Sequence, residues 1–110
     1  MIKIEIFKKE GSIVRYRATG HAEYANHGED IVCAASSTAL QFPLAGITEV
    51  LGIFPRFELA DGNIEVDLRG VDYRGKDSEI NILLNSMYLM LRELTKEYPK
   101  NLKLVEKEEK

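Results

Sequence analysis

The sequence lacks most of the features that would assign it to a familiar class. One cysteine in 110 residues rules out an internal disulfide, and a lone thiol suits a reducing compartment. No basic cluster is longer than Lys8-Lys9 and the formal net charge is −3. That balance argues against binding driven by phosphate neutralisation, so no direct nucleic-acid partner is expected. The opening residues alternate apolar and charged instead of forming the apolar stretch of a signal peptide. No apolar run is read as reaching the ~20 residues of a membrane span, so a cytoplasmic location and no membrane partner are expected. Gly70 to Gly75 lacks the Gly-Lys-Ser/Thr ending of a phosphate loop. There is no linker, repeat or low-complexity tract, and residues 1–110 are expected to form a single domain with one core.

What is present is strong local patterning. Ile2, Ile4 and Ile6 alternate with Lys3 and Glu5, and after a polar turn at Gly11 the alternation resumes from Ile13 to Thr19. This is the period-2 signature of an antiparallel hairpin. Ala22 to Asp30 has no apolar period and reads as a mobile surface loop. A helix is expected from about Ile31 to Leu51 with Asp30 as its N-cap; Pro43, lacking a backbone donor, predicts a kink or break near Ala39–Pro43. Phe54 to Ala60 and Ile64 to Arg69, joined by Asp61-Gly62-Asn63, form a second hairpin. Ile80, Leu83, Leu84, Met87, Leu91 and Leu94 repeat at three and four, predicting a long amphipathic helix from Asp77 to Tyr98 that Pro99 ends. Leu102 to Val105 suggests a short edge strand, and the charged residues 106–110 a frayed tail. The order β-β-α-β-β-α-(β) predicts an α+β two-layer sandwich, with a mostly antiparallel sheet and two long helices on one face.

The chemistry is concentrated between Gly20 and Leu40, which hold both histidines and the cysteine. Cys33 falls in the first turn of the first helix, where unpaired backbone N–H groups stabilise a thiolate. His21, following Gly20 at a strand end, is placed to take the thiol proton. The bland alternatives are a small buried hydrophobe for Cys33 and a surface residue for His21. His27 is the rival base, set in the polar loop. Capping accounts for Asp30, which could also orient an imidazole. Ser36 and Ser37 read as packing or back-bonding residues. A zinc site from His21, His27 and Cys33 has irregular spacing and no fourth nitrogen or sulfur ligand, so neither a metal nor a cofactor is expected.

Gly20-His21-Ala22, a short loop to Gly28, then Asp30-Ile31-Val32-Cys33-Ala34-Ala35 and Ser37 resemble the signature of the ribosomal-processing cysteine protease (Prp) family. The likeness extends over nearly the whole chain, to the final helix ending in Glu97-Tyr98-Pro99. It implies a cytoplasmic thiol protease (a cysteine endopeptidase) that removes the N-terminal extension of a large-subunit ribosomal protein precursor, a proteolysis step in bacterial ribosome biogenesis. It implies Cys33 as nucleophile and His21 as general base and acid, with Asp30 at a further family position. A homodimer follows from the same resemblance. So does a mobile lid, which would include Ala22, Glu23, Tyr24 and Gly28, and an apolar pocket near it for aromatic residues beside the cut. The backbone N–H groups of Cys33 and Ala34 are the natural oxyanion donors. Ser36 departs from the apolar residue usual in the family. The competing readings are a non-catalytic ribosome-assembly or protein-binding module with an inert buried Cys33, and a hydrolase acting on another thioester or amide.

Overall fold

The structure is a computed structural model that describes residues 1–26 and 28–110. Its elements are β1 (Ile2–Lys9), β2 (Ser12–Gly20), α1 (Ile31–Ala45) continued by a π-helical turn (Gly46–Val50), β3 (Arg56–Ala60), β4 (Asn63–Asp67), α2 (Asp77–Glu97) and β5 (Leu102–Glu108). The strands form one mixed sheet in the order β3-β4-β2-β1-β5, antiparallel except where β5 runs parallel to β1. The α+β sandwich expected from the hydrophobic pattern is the observed architecture.

Strand alternation decides which side chains meet the helices. Ile2, Ile4 and Ile6 from β1, Tyr16 and Ala18 from β2, and Ile64 and Val66 from β4 share one buried cluster with Leu40 and Leu44 of α1 and Ile80, Leu84, Met87 and Leu91 of α2. Ile4, Ile6 and Leu84 are fully buried; truncating one of them to alanine removes contacts worth about 2–5 kcal/mol.

Three details differ from the sequence reading. The charged C-terminal segment is not frayed up to Glu108. β5 pairs with β1 as far as Lys8↔Glu108, and the Glu109 amide donates to the Lys8 carbonyl at 2.7 Å. Those charged side chains find partners across the sheet, which their own local sequence does not reveal. Second, α1 passes through buried Pro43 unbroken. The Tyr16 hydroxyl donates to the Leu40 carbonyl at 2.6 Å, and the Gly46 N–H reaches the carbonyls of both Phe42 and Pro43. Beyond it comes the π turn, where the Leu51 amide reaches back to the Gly46 carbonyl at 3.0 Å. Third, Ile31–Val50 is by length and composition apolar enough to cross a membrane, with a mean hydropathy of 1.4. Small residues and hydroxyls between the larger ones disguise that run. Here it serves as a core helix, burying Val32, Leu40, Leu44 and Ile47.

Candidate active site

The site is built where β2 ends and α1 begins. Asp30 caps the helix from an extended conformation: Oδ1 accepts the Cys33 amide at 2.9 Å. Oδ2 accepts the amides of Tyr24 at 2.9 Å and Ala25 at 3.2 Å, so one carboxylate ties the preceding loop to the helix start. Desolvation pushes this carboxyl up, but the amides of Cys33, Tyr24, Ala25 and Val32 outweigh it and hold it below its ordinary value. Asp30 is therefore an anion at neutral pH, and its oxygens are occupied in the manner of a cap.

Cys33 lies half-buried in the first turn of α1. That turn contains no acidic residue, whereas the first turn of α2 holds Asp77 and Glu79. Negative charge at a helix start is favourable. In α2 side-chain carboxylates supply it; in α1 the cap Asp30 does. His21 projects from the residue after Gly20, whose φ of +96° and close approach to the Met1 carbonyl leave no room for a Cβ.

His21 and Cys33 come together on the shared wall of two adjoining clefts. The larger, about 620 Å³, is also bordered by Glu23, Asp30, Ala34 and Asp61. The smaller, about 300 Å³, runs between α1 and the sheet and has apolar walls from Ile2, Ala18, Leu40, Leu59 and Ile64. Ser37 and Asp61 border both. The sequence reading singled out neither as a site residue. Asp61 arrives because β4 lies beside β2, with Thr19 opposite Asn63, a pairing that only strand order reveals. Ser36, by contrast, is buried and back-bonds to the carbonyls of Val32 at 2.9 Å and Cys33 at 3.1 Å, which explains how a hydroxyl is accommodated there.

The Cys33 amide is engaged by Asp30 Oδ1 and the Ala34 amide by the Asp30 carbonyl at 3.1 Å. One expectation needs revision. Ala22, expected in the mobile loop, is fully buried, and its carbonyl accepts from Asn101 Nδ2 at 2.9 Å. The exposed loop begins at Glu23. Tyr24 packs edge-on against Tyr98 with centroids 5.5 Å apart, and Gly28 turns at φ +89°. His27, the rival base, lies outside the described residues. Among the described residues no group of three histidine, cysteine, aspartate or glutamate side chains is arranged to hold a metal ion.

The sequence matches the family model described as cysteine protease Prp over residues 1–103. It is 29% identical over 105 residues to the ribosomal processing cysteine protease Prp of Staphylococcus aureus, covering 94% of this chain and 97% of that protein. The fold is similar to two crystal structures of the essential ribosomal processing protease Prp from S. aureus. One, with a covalently linked product peptide, has a TM-score of 0.84 at 27% identity; the match covers 97% of this chain and all of that one. The other, with a substrate peptide, has a TM-score of 0.80 at the same identity and coverage. A Streptococcus mutans structure shares the fold at a TM-score of 0.82 and 22% identity, over 99% of this chain and 96% of its own.

Proposed function

The chain belongs to the cysteine protease Prp family, and from that membership we propose that it is the endopeptidase for a large-subunit ribosomal protein precursor, with Cys33 as nucleophile and His21 as general base and acid. The substrate class is supported by the relatives named for ribosomal processing, one of them with a peptide covalently linked. The observation that carries the site assignment is the placement of a first-turn thiol and an imidazole on the common wall of two clefts. One cleft is broad and polar enough for a peptide backbone, and the other is apolar enough for an aromatic side chain beside the cut.

In this mechanism His21 takes the Cys33 thiol proton, and the Cys33 sulfur forms a bond to the scissile carbonyl carbon. The helix field and the protonated imidazole support the thiolate. As the tetrahedral intermediate collapses, the C–N bond breaks and His21 returns the proton to the departing amine. The amino-terminal fragment remains as a thioester until water, deprotonated by His21, releases it. The amides of Cys33 and Ala34 serve the oxyanion only by leaving their Asp30 acceptors. Release of the Cys33 amide therefore accompanies movement of the loop that the same carboxylate holds, and Glu23, Tyr24 and Gly28 belong to a lid. Asp30 acts in this scheme by holding the helix start and the loop.

We read the chain as a single protease domain that works in the cytoplasm as a homodimer; exposed Phe42, Val50, Phe54 and Phe57 supply apolar surface for the second copy. The deciding experiment is cleavage of the host ribosomal protein precursor by the unaltered chain, Cys33→Ala and His21→Ala. Cutting by the unaltered chain alone is expected; equal cutting by Cys33→Ala would remove the nucleophile assignment.

A further inference from the structure

We infer that Gly62, at the tip of the β3–β4 hairpin, is a positioning residue for His21; the inference rests on the reading of His21 as the proton carrier. The ladder between β2 and β4 ends at Thr19↔Asn63, and the Gly20 amide donates to the Gly62 carbonyl at 3.0 Å, one step beyond. That bond brings the hairpin tip alongside the next residue, His21. A Cβ built on Gly62 would lie 2.9 Å from His21 Nε2, 3.4 Å from Cε1 and 3.7 Å from Cδ2. The imidazole thus rests, Nε2 end first, against the space a Cβ on residue 62 would take. With the turn held in place, a side chain at residue 62 displaces the ring.

The fold supplies its own control. Gly11, in the β1–β2 turn, has φ +82° against +75° at Gly62, yet a Cβ there meets nothing within 4 Å. The two glycines need a similar positive φ and differ in what lies against them. A side chain at either position strains the turn, but only at residue 62 does it reach the imidazole. Proton transfer from a thiol needs the acceptor nitrogen within hydrogen-bond reach, and a displacement near 1 Å costs on the order of 100-fold in rate.

The test compares Gly62→Ala and Gly11→Ala in the full chain, measuring kcat and KM for precursor cleavage, thermal melting, and the ring resonances of His21 by NMR. Gly62→Ala should lower kcat by about 10- to 100-fold with KM within about twofold, and shift the His21 ring signals. Gly11→Ala should melt lower by a comparable amount while kcat and those signals stay unchanged. Gly62→Asn, which tolerates a left-handed φ, carries the same comparison if the alanine variant does not fold. Equal kcat in the Gly62 and Gly11 variants with unmoved His21 resonances would overturn the inference. The protease reading fails separately: His21→Ala would then cleave like the unaltered chain, while the NMR shift in Gly62→Ala would still report whether the ring is seated on the turn.

Discussion

The two sides of the sheet settle their charges in opposite ways. On the side away from the helices, charge is met by charge. Glu5, its side chain only 5% exposed, accepts from Arg17 Nη2 at 2.9 Å and pairs with Lys107. Nearby, Glu109 meets Arg69 at 2.7 Å and Arg15 at 3.2 Å, and Asp67 meets Arg69 at 2.7 Å. The Arg15 guanidinium also covers the Phe7 ring at 3.8 Å. At the start of α1, the Asp30 carboxylate is met by backbone amides instead, leaving the histidine exposed and the thiol half-buried against the clefts. One side uses its polar groups to fix the fold. The other carries the two groups proposed to do the chemistry, so stability and activity should be separable by substitution.

The largest separation is expected at the clefts. Cys33→Ala and His21→Ala should each lower precursor cleavage by about 10³-fold or more, with melting temperatures within a few degrees of the unaltered chain. A parallel iodoacetamide assay should show Cys33 alkylating readily at neutral pH; a buried, inert thiol would resist the reagent.

Glu5 should show the reverse. Hydrogen bonding from Lys107, then Arg17, outweighs desolvation and lowers its carboxyl from 4.5 to about 2. A carboxylate with a depressed folded-state pKa contributes stability that is complete above its unfolded value and is lost as pH falls through its folded one. Urea midpoints should therefore drop between pH 5 and pH 2 more steeply in the unaltered chain than in Glu5→Gln. At pH 7 that variant should be less stable by about 1–3 kcal/mol with cleavage kinetics unchanged.

Asp30 lies on the boundary between the two behaviours. Asp30→Ala should lower the melting temperature by several degrees through loss of the cap, and also slow cleavage because the helix turn that positions Cys33 loses its anchor. Asp30→Asn keeps one oxygen acceptor and should retain more of both. The smallest effect belongs to Asp77→Ala: α2 loses a helix-start charge worth about 0.5 kcal/mol and the cleavage rate does not move.

Much of this was legible because it is written locally. Alternation at Ile2, Ile4 and Ile6, the Asp61-Gly62 turn, and the three-four spacing from Ile80 to Leu91 each specify one element whatever its neighbours do. Asp30 ahead of the apolar run from Ile31 specifies a capped helix start. What escaped depends on pairing between distant strands. Lys107 and Glu109 look like a solvated tail until Glu5, Arg15 and Arg69 are placed opposite them. Ala22 looks like loop until Asn101 is seen to hold it. Asp61 and Gly62 look like an ordinary turn until β4 is set beside β2. Pro43 misleads differently, because its local penalty is real but tertiary packing overrides it.

The bond from Asn101 to the Ala22 carbonyl, and that from the Ile2 amide to the Asn101 carbonyl at 2.9 Å, also set the timing of assembly. They join residues far apart in the chain, and β1 has one of its two neighbours only when Leu102–Glu108 exists. Contacts of such long sequence separation form late and slow folding. During synthesis the segment bearing Cys33 and His21 leaves the ribosome well before the residues that brace it. The nascent chain should therefore carry an unfinished cleft, and competence to cut should arise only once Leu102–Glu108 has paired with β1.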